Sequence, residues 1–120
     1  MPFAVENLQV YQKAVDFADE VLATTEQLPR GYGFLADQLN RAAVSIAANL
    51  AEGNGRFTKP DRKHFFGIAR GSVQECIPLL ELAARRGLIE PAQHERFLDR
   101  LDEIGRMLAG LINGLGRRKT

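Results

Sequence analysis

Apolar positions recur along this chain in steps of three and four over almost its whole length. Leu8, Tyr11, Val15, Ala18, Leu22 and Thr25 form the first stripe, with Ala14, Val21 and Leu28 beside it. Side chains three and four apart stack on one helical face, so this spacing predicts an amphipathic helix over about residues 8–27. Leu-Pro-Arg-Gly-Tyr-Gly breaks it. Leu35, Leu39, Ala42, Ile46 and Leu50 predict a second helix over 34–52, closed by Gly53 and Gly55. A third stripe joins Phe65, Ile68, Ala69, Ser72, Val73, Cys76, Leu80 and Ala83 and predicts a helix over 59–86. Its start carries a cap signal: Thr58 as N-cap, Pro60 in the first turn, Asp61 three residues on. Gly87 suits the left-handed residue after its end. Pro78 removes one backbone donor within this helix and should kink it, because Leu-Leu-Glu-Leu-Ala-Ala-Arg-Arg resumes the pattern at once. Pro91 opens a fourth helix over 91–115, with Phe97, Leu101, Ile104, Leu108, Leu111 and Leu115 on one face. No segment alternates with period two over the length of a strand. Four helices with short connections give an all-α fold, an antiparallel up-and-down four-helix bundle in a single domain spanning 1–120.

The second helix departs from the usual amphipathic pattern. From Ala42 to Ala51 only Ser45 and Asn49 are polar. At about 100° per residue, Leu39, Ala42, Ala43, Ile46 and Leu50 face the bundle core, whereas Arg41, Ser45, Asn49, Glu52 and Arg56 share a narrow stripe. A third face holds Val44, Ala47, Ala48 and Ala51, where a solvated helix would carry lysine or glutamate. Small apolar side chains there suit the close approach of a second subunit, so these four are the expected oligomer interface of a ring-like homo-oligomer. The competing explanation is alanine's high helix propensity on an exposed face. Half-buried polar groups need partners. Arg41, Ser45, Asn49 and Glu52, with Arg70 and Glu75 from the third helix, are therefore expected to form a structural polar network.

Composition narrows the class. The 120 residues suffice for one domain with a modest core. Cys76 is the only cysteine, so no intramolecular disulfide forms and a cytoplasmic location is expected. No apolar run is long enough to span a membrane, the N-terminal Met-Pro-Phe-Ala-Val-Glu stretch lacks the order of a signal peptide, and the basic tail Arg117-Arg118-Lys119 is too short for membrane binding. Overall charge is near balance, at +1, but unevenly spread. Residues 1–40 carry Lys13 and Arg30 against six acids, whereas residues 41–70 carry six bases against Glu52 and Asp61. The basic middle clusters around the second turn, where Arg56, Lys59, Arg62 and Lys63, with His64 and Arg70 nearby, form the candidate nucleic-acid-binding surface. The amides at the start of the third helix would add positive potential. Phe57, Phe65 and Phe66 could stack on bases, although the helical spacing of the last two suits a core. No sequence-reading motif appears, so RNA or DNA would be held by its backbone. The other reading is a protein-interaction scaffold that touches no nucleic acid.

Enzyme chemistry finds little support. His64 and His94 stand on different helices, and neither has a Glu-x-x-His or His-x-x-x-His companion, so the di-iron bundle signature is absent. Gly-Tyr-Gly and Gly-Asn-Gly are turn glycines rather than a phosphate loop. Cys76 falls on the apolar stripe and suits a buried small hydrophobe. No catalytic residue, no metal site and no cofactor is expected.

Leu8 to Leu115 also resembles a known family through four stretches: LQVYQKAVDFADEV, QLNRAAVSIAANLAEGNGR, FFGIARGSVQE and LDEIGRMLAGLINGL. These resemble the four-helix-bundle proteins encoded in intervening sequences of bacterial 23S ribosomal RNA genes. The same family includes the accessory variability protein of diversity-generating retroelements. Relatives commonly have proline where Ala47 stands and an aromatic where Asn54 stands, and Pro78 is unusual; these departures bear on the bends of the second and third helices. The resemblance implies a four-helix bundle and a barrel-shaped homopentamer with a central pore. For the retroelement member it implies binding of nucleic acid and of a reverse transcriptase through a basic outer surface. Most relatives have no known function.

Overall fold

The computed structural model of the chain describes Val5 and residues 8–117. Four helices follow one another: α1 (Gln9–Thr25), α2 (Gly33–Asn54), α3 (Lys59–Arg85) and α4 (Pro91–Arg117). They form a rod of 52 × 21 × 20 Å. Each helix packs on its sequence neighbours and α1 also packs on α4, so the four make a closed layer around one core. The α2–α3 seam is the most extensive and the α1–α4 seam the sparsest.

Three of the four predicted stripes face the core, though α3 reaches it with two corrections. Leu35, Leu39, Ala42, Ala43, Ile46 and Leu50 of α2 are buried, as are Phe97, Leu101, Ile104 and Leu108 of α4. In α3, Phe66 is buried, while Phe65 is half-buried and Ile68 exposed. The first stripe is rotated. The buried face of α1 is Val10, Ala14, Phe17, Ala18, Val21 and Thr25, and Val15 and Leu22 lie outside. Phe17 decides this. Its ring meets Phe97 of α4 edge to face at 5.6 Å between centroids, and burying that large ring outweighs burying two smaller aliphatic side chains.

The helix ends follow local chemistry. The Thr58 hydroxyl accepts from the Asp61 amide at 3.2 Å, capping α3 as the sequence indicates. The far end of α3 is a Schellman turn. Gly87 donates to Ala84 at 3.0 Å and Leu88 to Ala83 at 2.9 Å, with Gly87 at φ +72°. The helix runs on through Pro78. Gly53 does not end α2 but lies inside it, buried, and Gly55 caps it with right-handed geometry at φ −87°. A Cβ at Gly53 would stand 2.7 Å from the Phe66 ring, so this glycine lets α2 and α3 meet closely.

Cross-helix polar contacts fix the register. Thr24 takes a hydrogen bond from Gln93 at 3.0 Å, Glu20 pairs with Arg96 at 3.0 Å and with Arg100, and Lys13 pairs with Glu103 at 3.4 Å. Thr25 donates to Asn40 at 2.7 Å, and Ser72 donates to Ser45 at 2.7 Å.

Candidate nucleic-acid interface

The predicted basic residues gather around the turn between α2 and α3, at one end of the rod. They do not all face water. Arg56 is held twice. It pairs with Glu52 one turn back, and its guanidinium lies over the Phe65 ring, 4.6 Å from the centroid. His64 meets the other side of this cluster, edge to face with Phe65 at 5.0 Å. Lys59 is half-buried and engaged in an interaction of its own. Arg62 is also half-buried and engaged, and it turns inward. It lines a cavity of about 290 Å³ with Leu8, Asn54, Phe66, Leu111 and Leu115, where all four helices meet. Lys63 is exposed.

The start of α3 offers less to an anion than expected. Pro60 has no amide, the Asp61 amide is taken by Thr58, and the Arg62 amide bonds to the Thr58 carbonyl at 3.0 Å. Asp61 also adds a negative charge in this first turn. The aromatic trio separates cleanly. Phe66 is core, Phe65 lies under Arg56, and Phe57 is 100 % exposed. Arg70 faces elsewhere, into an open groove between α3 and α4 with Gln74, Ile77, Gly105 and Arg106. Arg106 is paired with Asp102 at 3.0 Å.

The polar network contracts to three residues. Ser72 donates to the Ser45 hydroxyl, and the Asn49 amide lies 2.9 Å from both the Ser45 carbonyl and its hydroxyl. These groups satisfy one another in the α2–α3 seam. Arg41 and Glu75 are exposed, with no ion pair or hydrogen bond to the cluster among the described residues. Glu52 turns to Arg56 instead, and Arg70 lies about 200° around α3 from Ser72. On α2 the expected subunit face is partly open. Val44 is 45 % exposed and Ala48 exposed, whereas Ala47 and Ala51 are half-buried. Val44 and Ala48 line a shallow surface groove with Asn40, Arg41, Ser45 and Asn49. α3 adds exposed Ile68 and Leu82, which the sequence pattern had assigned to no interface.

Cys76 is fully buried, and burial, reinforced by Glu75 beside it, pushes its thiol up to about 12. Among the described residues no three His, Cys, Asp or Glu side chains stand together as a metal set. No described helix is long and apolar enough to cross a membrane. The basic tail beyond Arg117 lies outside the described residues, as does most of the N-terminal stretch.

Comparison with known proteins agrees with this architecture. A crystal structure of a protein of unknown function from the S23 ribosomal protein family of Bacteroides thetaiotaomicron superposes with a TM-score of 0.80. The two share 26 % identity over 86 % of this chain and 97 % of that one. No functionally curated protein matches. The profile of the 23S rRNA-intervening sequence proteins matches residues 6–110, nearly the whole folded length, and the chain belongs to that family.

Proposed function

We propose that the protein is a non-enzymatic, cytoplasmic accessory factor that binds RNA or DNA backbone through the basic end of its bundle. One observation carries this reading: Arg56, Lys59, Arg62, Lys63 and His64 gather around a single turn against only Glu52 and Asp61. Lys63 is the cation freest to meet a phosphate, Arg56 presents a guanidinium already ordered on Phe65, and Lys59 and Arg62 supply positive potential from behind.

The bundle is antiparallel and up-and-down in this reading. The contacts Thr24–Gln93, Glu20–Arg96 and Lys13–Glu103 run in opposite senses along α1 and α4, and Ser45–Ser72 and Gly53–Phe66 do so along α2 and α3. Copies associate through the outer face of α2, by Val44 and Ala48 with Ala47 and Ala51 at its edge, into a ring of five. That number rests on the family resemblance. Repetition around the ring turns a modest basic patch into a continuous one.

The test is binding of the purified protein to a labelled structured RNA and a labelled DNA duplex at two salt concentrations. Lys63→Glu runs alongside, and so does Lys59→Glu. Backbone binding weakens steeply with salt, and losing one phosphate contact lowers the salt slope by about one. Absence of binding at low salt would refute the reading. A second reading has its own support, because the exposed Val44, Ile68 and Leu82 suit a protein partner. The protein would then be an oligomeric interaction scaffold that touches no nucleic acid, and neither probe would bind even at low salt.

A further inference from the structure

Phe57 is the one large apolar side chain in the described structure that is 100 % exposed. It has no part in building the turn it occupies. Gly55 closes α2 and Thr58 caps α3, while Phe57 stands 100 % exposed to solvent between them. Scattered apolar side chains on a surface are ordinary, but they keep some contact with their surroundings. This ring stands free between Arg56 and Thr58, with Lys59, Lys63 and His64 along the following helical turn. Arg56 and His64 present two further flat surfaces, both steadied by the half-buried Phe65 ring.

We propose that Phe57 is a stacking platform for an unpaired base, so that the basic turn prefers single-stranded nucleic acid to duplex. This inference rests on the nucleic-acid reading above. The physical reason is complementarity. Phosphate needs cations and pays no regard to strand number, whereas a projecting ring needs a π-face that a paired, stacked base cannot offer. A duplex meets Lys63 and Arg56 but leaves Phe57 wet. A single strand meets both at once, with the backbone on the cations and one base on the ring. Because every base has such a face, the preference is for strandedness and carries little sequence information.

The experiment measures binding of a labelled 15-nucleotide oligo(dT) and of a 15-base-pair duplex to wild type, Phe57→Ala, Phe57→Trp and Lys63→Glu. Phe57→Ala should bind the single strand roughly 5- to 150-fold more weakly and the duplex unchanged. Lys63→Glu should weaken both. The chain contains no tryptophan, so Phe57→Trp places a lone fluorophore at the tip. Its emission should be quenched saturably by the single strand and far less by the duplex, with single-strand affinity retained. Equal single-strand binding by Phe57→Ala and wild type, with the Lys63→Glu effect intact, overturns the stacking role and leaves backbone binding standing. Absence of binding by wild type to either probe overturns both. A changed molecular mass of Phe57→Ala in light scattering assigns the ring to a protein contact and also overturns the inference.

Discussion

At the scale of single residues, two glycines of similar sequence character should respond oppositely to the same substitution. Gly67 lies inside α3 with open space where a Cβ would go, so Gly67→Ala should stabilise the protein by about 0.5–1 kcal/mol through helix propensity. Gly53 lies inside α2, but its Cβ would press on Phe66 ring atoms at 2.7 and 2.8 Å and on the Arg62 carbonyl at 3.2 Å. Phe66 is itself packed in the core and has little room to yield, so overpacking outweighs propensity and Gly53→Ala should cost about 1–2 kcal/mol. Urea unfolding of both variants checks the pair, and equal shifts would contradict it. Cys76 gives a pH-dependent test. Its folded-state thiol titrates at about 12 rather than 9.0, so the unfolded chain loses that proton first. The stability it contributes is therefore complete below about pH 9 and is lost as pH rises toward 12. The stability difference between wild type and Cys76→Ala should shrink over that window, by up to about 1.4 kcal/mol per pH unit. The thiol should also stay unreactive toward a thiol reagent at neutral pH until the protein unfolds. The residue scale is also where the candidate site was least legible. The Arg56–Glu52 pair follows from spacing alone, because it is local to one helical turn. The inward turn of Arg62 depends on Leu111 and Leu115, some fifty positions away in sequence, and nothing near Arg62 signals it.

Whole elements were more legible, and the exceptions share a cause. α2 and α4 bury their predicted stripes because each has a single band of large aliphatic or aromatic residues. α1 carries apolar residues around more than half its circumference, so periodicity alone leaves its rotation open. The partner ring Phe97, invisible from within α1, settles it. The end of α2 lies beyond Gly53 for a similar reason. A glycine is read as a stop signal, but here its missing side chain serves the neighbouring helix. α1 is also the element held least firmly, since its seam with α4 is the sparsest of the four. Much of that seam's specificity lies in Glu20, which faces both Arg96 and Arg100. Glu20→Ala should lower stability by about 1 kcal/mol, because these groups are part-exposed and screening limits what each ion pair contributes. The loss should be smaller at high salt. Amide hydrogen exchange should rise first in α1 and leave α2 and α3 nearly unchanged. Uniform acceleration across all four helices would mean that the bundle opens as one unit and that the α1–α4 seam is not its weak line.

At the scale of the whole molecule, a rod of this size has one basic end and one side left half-clothed. Along α2 the side chains Val44 and Ala48 lie open beside Arg41, and Ile68 and Leu82 continue the apolar surface on α3. Exposure alone does not establish an interface, since any small protein leaves apolar atoms in water. Chemistry that distinguishes the two cases is available at Ala48. In a monomer Ala48→Glu changes an exposed helical position to another good helix former. Its only cost is repulsion from Glu52 one turn on, about 0.2–0.5 kcal/mol. In a ring built on this face, the same substitution buries a carboxylate against a neighbouring subunit once per contact. The penalty is several kcal/mol at every seam unless Arg41 of the adjoining copy reaches it. The expected outcome is therefore a folded protein with the wild-type helical signal and a subunit-sized mass in light scattering, against an oligomer for wild type. Arg41→Ala, Ala48→Glu should be no better assembled, which removes rescue by that arginine as an explanation for any residual oligomer. Wild-type mass in the Ala48→Glu protein would place the seam on another face, and the α3–α4 groove with Arg70, Gly105 and Arg106 would be the next surface to alter. Loss of assembly would also make the nucleic-acid measurement more informative. If the dispersed variant binds a short strand as wild type does but a long strand far more weakly than wild type, then the ring's value lies in presenting several basic turns to one molecule, by effective concentration rather than by any new contact.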